Sequence, residues 1–150
     1  MRELGEKSQS ALALTYSPDG TMLVAGYKNG TAGVWTPEGK KRGLLHGHQA
    51  RVWAVAFSPD GTTIATSSLD GTVRLWDTAT RLPVVTFPRP LSHSVAFSRD
   101  GKLLASVGAD PAVHVLELAD RRKLRPASRD LDLLQKKYGL RLVGVDLVEE

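Results

Sequence analysis

The 150-residue chain contains no cysteine and few aromatic residues. Without cysteine it can form neither a disulfide framework nor a thiolate metal site. Tryptophan, tyrosine and phenylalanine occur three times each, so few large side chains can anchor a core or a binding surface. No apolar run approaches the length of a membrane span, and residues 1–10 are charged and polar, unlike a secretory signal. We therefore expect a cytoplasmic protein without a membrane partner.

The charge of the chain is modest and unevenly distributed. Of the net +4, residues 1–120 contribute 12 basic against 11 acidic side chains, and residues 121–150 contribute 8 against 5. The basic run Arg121–Arg125 could contact phosphates or protect a solvated strand edge. It has no interleaved aromatic residues, which favours the strand edge. A nucleic-acid partner is therefore not expected.

A four-residue turn motif recurs along the chain. Its copies are Ser17-Pro18-Asp19-Gly20, Ser58-Pro59-Asp60-Gly61 and Ser98-Arg99-Asp100-Gly101, spaced by 41 and then 40 residues. Serine, proline, aspartate and glycine in this order each suit their position in a type I turn, so the three aspartates are interpreted as turn formers. Self-similarity at this period indicates three repeated structural units.

Alternating apolar residues around each motif predict antiparallel strands. The predicted strands are Leu12–Tyr16, Met22–Tyr27, Thr31–Trp35 and Lys41–Leu45 in the first unit, Val52–Phe57, Thr63–Ser68, Thr72–Trp76 and Pro83–Phe87 in the second, and Ser92–Phe97, Leu103–Val107 and Ala112–Glu117 in the third. Asp70-Gly71 predicts a two-residue hairpin loop with positive φ. Pro111 replaces Gly71 in the third unit, so that hairpin must turn differently.

The end of the chain has a different pattern. Residues 130–139 begin with aspartates and end with lysines and a glycine, which predicts a short helix over Asp130–Tyr138 with Gly139 at its C-terminal cap. Leu140–Val148 returns to strand-like composition. Arg121–Pro126 could be the outer strand of the third unit or a linker.

The second unit strongly resembles the WD-repeat family of β-propellers. It carries Gly47-His48, the turn at residues 58–61, Asp70 and Trp76-Asp77 at fixed spacings. The resemblance implies an all-β propeller segment of three four-stranded blades at about residues 11–46, 47–88 and 89–125, followed by an α/β tail at 126–150. It also implies a non-catalytic scaffold, without a cofactor, whose loops bind a protein or peptide.

Three polar residues of the second unit could be mistaken for a nucleophilic triad: His48, Thr66 and Asp70. The resemblance implies that they form, with Trp76, a buried hydrogen-bond network that joins the inner strands of the blade. No oxyanion site accompanies them in the sequence. His46 and His48 lack a third metal ligand, so no metal site is expected.

One position differs strongly among the three units. Leu12, Trp53 and His93 are equivalent in the repeat, yet they share neither size nor polarity. Aromatic and arginine side chains dominate interface hot spots, which makes this position a candidate for partner binding. The candidate residues are Lys28, Arg51, Trp53, Leu69 and His93. The alternative, that Trp53 fills a gap between blades, remains open.

Two expectations concern the chain as a whole. Propellers close with about four to eight blades, so three blades predict self-association or further blades elsewhere. A regulatory or substrate-binding module of a larger propeller-containing enzyme is the alternative function. The sequence contains no convergent carboxylates or histidines spaced for catalysis, so we do not expect an enzyme.

Overall fold

The computed structural model describes residue 3, residues 8–89 and 91–118, and the backbone of residues 141–145. All regular structure within these ranges is β. Its strands form three four-stranded antiparallel sheets, here called blades 1, 2 and 3. The predicted all-β fold of repeated sheets is therefore confirmed.

The strands follow one another across each blade in chain order. Blade 1 contains β1 (Ala11–Tyr16), β2 (Leu23–Tyr27), β3 (Ala32–Trp35) and β4 (Lys41–Leu45); blade 2 contains β5 (Val52–Phe57), β6 (Thr63–Ser68), β7 (Thr72–Asp77) and β8 (Pro83–Pro88); blade 3 contains β9 (Ser92–Phe97), β10 (Leu103–Gly108), β11 (Val113–Glu117) and β12 (Arg141–Val145). Strands β1–β11 begin and end within one residue of their predicted limits.

The outer strand of blade 3 comes from late in the chain. The strand β12 pairs with β11 in antiparallel register, from Val113 opposite Val145 to Glu117 opposite Arg141. It lies in the segment that the sequence analysis assigned to the tail, and it takes the position for which Arg121–Pro126 was one candidate. Residues 121–126 and the predicted helix Asp130–Tyr138 lie outside the described residues.

The recurring turn motif has the same geometry in every blade. In the first copy the Ser17 hydroxyl donates to Asp19 at 2.6 Å and accepts from the backbone N–H of Met22 at 2.9 Å. The corresponding serine hydroxyls of blades 2 and 3 also donate to their aspartates at 2.6 Å. Gly20 closes the turn with a φ of 73°, a value that favours glycine. The predicted role of the aspartates as turn formers is confirmed.

The hairpin between β6 and β7 differs from its prediction. Its loop is Leu69–Gly71, and within it only Gly71 has a positive φ, of 82°. The prediction of a two-residue loop was therefore wrong. A type I′ turn formed by Asp70 and Gly71 would need positive φ at both residues, and only Gly71 has it. The Gly71 N–H donates to the Ser68 carbonyl at 3.2 Å. Pro111 has no N–H with which to make the equivalent bond in blade 3, as expected.

Neighbouring blades pack through opposite faces of their sheets. The face towards the preceding blade is here called the front face, and the face towards the following blade is called the back face. The back face of blade 1 packs Val24, Ala32 and Val34 against the front face of blade 2, which presents Phe57, Ile64 and Trp76. The back face of blade 2 packs Ala65, Val73 and Leu75 against Val95, Leu104 and Leu116 of blade 3. Both interfaces are formed by apolar side chains of the two facing sheets.

The two ends of the blades are aligned. At the end where β1, β5 and β9 begin, here called the upper end, the rings of Trp53 and His93 are in contact across blades 2 and 3. At the opposite, lower end lie the Ser-x-Asp-Gly turns, and Pro18 of blade 1 approaches Gly61 of blade 2. The loops at each end therefore form a common surface.

Candidate interaction site

The four residues predicted as a buried network are joined by hydrogen bonds in blade 2. His48 lies between β4 and β5, Thr66 on β6, Asp70 in the following loop and Trp76 on β7. His48 Nε2 is 2.7 Å from Thr66 Oγ1, and His48 Nδ1 is 2.8 Å from Asp70 Oδ2. Trp76 Nε1 donates to Thr66 Oγ1 at 2.8 Å. The network thus connects two strands and two loops of one blade.

Burial determines the protonation state of this network. Desolvation of the imidazole lowers the pKa of His48 below its usual value of 6.5, despite the opposing effect of Asp70. A neutral His48 that donates from Nδ1 to Asp70 accepts at Nε2 from the Thr66 hydroxyl. The Thr66 oxygen in turn accepts from Trp76, so every member of the chain of hydrogen bonds has a partner.

Two members of the network were not predicted from the sequence. Thr72 Oγ1 donates to Asp70 Oδ1 at 2.6 Å and lies 3.2 Å from His48 Nδ1. The backbone N–H of Gln49 donates to Asp70 Oδ2 at 3.0 Å. Burial alone would raise the pKa of Asp70, but hydrogen bonds from Thr72, Gln49 and His48 outweigh it and lower the pKa below 3.8. Asp70 is therefore a carboxylate at neutral pH.

The triad-like arrangement has no accessible nucleophile. Thr66 is 0% exposed, and its hydroxyl is engaged by both His48 and Trp76. Both ring nitrogens of His48 lie in hydrogen bonds, whereas His46 is exposed. Across the described residues no group of three histidine, aspartate or glutamate side chains is placed to hold a metal ion. The geometry favours a structural role for the network.

Blades 1 and 3 replace this network with simpler contacts. In blade 1, Ala25 occupies the position of Thr66, and Trp35 Nε1 donates instead to Tyr27 Oη at 3.2 Å. In blade 3, His114 Nε2 lies 2.7 Å from Asp110 Oδ2. Nothing in the sequence pattern singled out Tyr27, because its counterpart in blade 2 is a serine.

The variable position of the repeat is a β-bulge in every blade. In blade 2, Val52 lies opposite Ser68 and Ala54 opposite Ser67, which leaves Trp53 without a paired residue. The register shifts at the same place in β1 and β9, where Leu12 and His93 are the unpaired residues. A bulge re-aims its side chain and releases it from the alternation of the strand. This explains why the three residues need not resemble one another.

Three of the predicted partner-binding residues form a stack at the upper end. The Arg51 guanidinium lies 5.3 Å from the centroid of the Trp53 ring, within cation–π range. Trp53 also meets the His93 ring in an edge-type contact, with ring centroids 6.0 Å apart. Arg51 and Trp53 are half-buried and His93 is exposed. Trp53 therefore bridges two blades and also contributes to the surface.

The two remaining candidates lie at the same end. Leu69 is exposed, and its backbone N–H donates to the Arg51 carbonyl at 3.0 Å, which places it beside the stack. Lys28 is exposed in the β2–β3 loop of blade 1, where its backbone N–H donates to the Ser10 carbonyl. Here the upper patch means Lys28, Arg51, Trp53, Leu69 and His93. It combines three basic residues with apolar surface.

The chain is similar to known WD-repeat proteins in both sequence and structure. The family model described as WD domain, G-beta repeat matches residues 2–36 and 39–77. The structure titled "Crystal structure of RRP9 WD40 repeats" has a TM-score of 0.73 and 25% identity, covering 79% of this chain and 38% of that chain. "Structure of U3-55K" has a TM-score of 0.74 and 25% identity, covering 79% and 39%. No curated protein sequence matches the chain.

The three stacked four-stranded sheets are β-propeller blades. The chain belongs to the WD40-repeat family. It spans less than two fifths of the length of each of these solved structures. WD40 repeats commonly form a non-enzymatic scaffold for protein interactions. No helix among the described residues is long and apolar enough to span a membrane.

Proposed function

We propose that the protein is a non-catalytic interaction scaffold whose upper patch binds a protein or peptide partner. The observation that supports this most directly is the stack of Arg51, Trp53 and His93, which joins a cation, an indole and an imidazole across two blades. Tryptophan and arginine are enriched among interface residues whose truncation costs most binding energy. The network of His48, Thr66, Asp70 and Trp76 is proposed to stabilise the blade that carries this stack.

The chemistry of the upper patch indicates the kind of partner. Lys28 and Arg51 supply cationic groups, while Trp53 and Leu69 supply apolar contact area. A peptide segment with a carboxylate beside an apolar side chain would match both features. The backbone beneath the patch belongs to hydrogen-bonded strands and tight loops, so little of it needs to be ordered on binding.

The alternative function is a regulatory or substrate-binding module of a larger propeller-containing enzyme. If the chain carried part of that enzyme's catalytic machinery it would require an accessible reactive group, and the only triad-like set among the described residues is buried in blade 2. Metal analysis and a general hydrolase screen of the purified chain distinguish the two functions, because the scaffold predicts negative results in both. A cytoplasmic location stays a prediction from the sequence.

The test is quantitative affinity capture with immobilised wild-type chain and the Trp53→Ala and Arg51→Glu variants. We expect the captured partner to be reduced about tenfold or more by each variant, as for an interface hot spot. Leu82→Ala and Arg99→Glu, at exposed positions away from the upper end, are the matched controls and should capture as the wild type does.

Thermal melts of all variants separate binding from stability. Unchanged capture by both upper-patch variants would contradict the proposed binding surface. Equal loss of capture and of folded protein in Trp53→Ala would instead assign Trp53 to packing between blades.

A further inference from the structure

The front face of blade 1 repeats the apolar chemistry of the two buried front faces, but it is exposed at Leu14 and Tyr16 and buried at Leu23 and Trp35. By the repeat spacing, Leu14, Tyr16, Leu23 and Trp35 occupy the front-face positions of blade 1. Tyr16 is 58% exposed, whereas its counterpart Phe57 on blade 2 is 9% exposed.

These side chains line a groove of about 530 Å³. Every lining residue in the described part of the chain is alanine, leucine, tyrosine or tryptophan. The groove therefore offers an apolar surface without a charge that must be matched.

Blade 3 has the complementary open back face. Ala105, Val107, Val113 and Val115 occupy the positions at which blade 2 presents Ala65, Ser67, Val73 and Leu75. Val107 is 40% exposed, whereas Ser67 is 0% exposed. The back face of blade 3 thus presents only alanine and valine at these four positions, where blade 2 has a serine and a leucine beside an alanine and a valine.

We propose that the front face of blade 1 binds the back face of blade 3 of a second copy of this chain. The interface would continue the series formed by blades 1 and 2 and by blades 2 and 3, in which the apolar back face of one blade packs against the apolar front face of the next. Such head-to-tail contacts generate a closed ring when the rotation between units permits. Two copies supply six blades, within the range of about four to eight in which propellers close. The proposal does not depend on the upper patch.

One internal contact provides a geometric test of this interface. A Cβ built on Gly26 of blade 1 would lie 3.1 Å from the Cβ of Val52 on blade 2. The equivalent pair across the proposed interface is Val107 and Ala11. Disulfide-bonded cysteines have Cβ atoms about 3.5–4.5 Å apart, so cysteines at these two positions should reach each other. The chain has no native cysteine to compete.

The experiment compares the Ala11→Cys/Val107→Cys variant with Ala11→Cys/Leu82→Cys under mild oxidation. We expect the first to form a covalent dimer and the second to stay uncrosslinked, because Leu82 lies in the exposed loop between β7 and β8. Light scattering of the uncrosslinked wild type should give twice the 16.2 kDa mass of one chain. A ladder beyond the dimer, or a monomer with free thiols, would overturn the proposal.

Charge placed in the groove gives a second measurement. Tyr16→Asp and Leu14→Asp should shift the wild-type dimer to a folded monomer, whereas Leu82→Asp should leave it dimeric. Two independent groove variants guard against one that fails to fold. Dimers that survive both groove substitutions would also overturn the proposal. Trp53→Ala should remain dimeric, so failure of this interface is distinguishable from failure of the upper-patch function.

Discussion

The indole of Trp53 lies edge-on to the imidazole of His93, with ring planes inclined at 70°, although the two residues belong to different blades. Each is the unpaired residue of its bulge. The contact therefore links two inner strands through side chains that take no part in strand pairing. The same residues serve the exposed patch and the packing of blades 2 and 3.

This contact should be measurable as an energetic coupling. In a double-mutant cycle of Trp53→Ala and His93→Ala, denaturant unfolding should give a coupling free energy of about 0.5–1.5 kcal/mol, the range for aromatic pairs. Trp53→Ala combined with His114→Ala serves as the control, since His114 pairs with Asp110 instead. Additive effects in the Trp53 and His93 cycle would show that their rings are not coupled in solution.

Removing the imidazole of His48 should destabilise blade 2. His48→Ala leaves the buried Thr66 hydroxyl without its acceptor and removes one hydrogen-bond donor from Asp70, so the free energy of unfolding should fall by about 1–3 kcal/mol. Chemical denaturation measures this directly. His46→Ala, which alters an exposed imidazole two residues earlier, is the control and should change little. An unchanged unfolding midpoint in His48→Ala would refute a stabilising role of the network.

The same network predicts acid sensitivity. Burial lowers the pKa of His48 below 6.5, so the unfolded chain binds more protons than the folded chain as the pH falls below that value. The free energy of unfolding should therefore decrease as the pH falls below 6.5. It should decrease further below pH 3.8, because the pKa of Asp70 is also lower in the folded chain and protonation of its carboxylate removes that stabilisation.

Melting temperatures measured from neutral pH down to about 3 check this prediction. The decrease should be shallower in His48→Gln than in the wild type, and unchanged in His46→Gln. Identical pH profiles for wild type and His48→Gln would mean that another group titrates.

The first turn motif predicts an unusually acidic carboxyl group. Hydrogen bonds from the Ser17 hydroxyl, the Thr21 backbone and the Thr21 hydroxyl lower the pKa of Asp19 to about 2. In NMR titration, the Asp19 carboxyl signal should remain that of the ionised form below pH 3.8, the ordinary value. Ser17→Ala removes the largest contribution and should raise the midpoint. A wild-type midpoint near 3.8 would contradict the observed turn geometry.

Much of the fold could be predicted because its strongest signals are local. The Ser-x-Asp-Gly turns use side-chain hydrogen bonds within five residues, so their sequence and their geometry correspond closely. Their spacing then fixes the repeat, and the alternation of apolar residues fixes the strands on either side. The network of blade 2 was recognisable because family resemblance covers all four of its predicted members.

Features that depend on distant residues could not be predicted. The pairing of β12 with β11 joins segments separated by more than 20 residues, and composition alone did not distinguish this strand from Arg121–Pro126. The bulges carry no residue signature, since leucine, tryptophan and histidine occupy them equally well. Tyr27 supplies the hydroxyl that accepts from the Trp35 indole, whereas in blade 2 the Trp76 indole donates to Thr66. Because Tyr27 and Thr66 are not equivalent positions of the repeat, aligning the repeats did not reveal Tyr27.

The bulges also affect how such a protein can acquire new specificities over evolution. A residue in a regular strand is constrained by its opposite neighbour, and a one-residue slip moves every side chain to the other face. Trp53 has no opposite neighbour, and the pairing on both sides of it is maintained by Val52 and Ala54. Side chains of different size and charge can therefore be exchanged at this position while the register of the blade is preserved. Each added repeat brings one position that is free of strand pairing to the same end of the molecule.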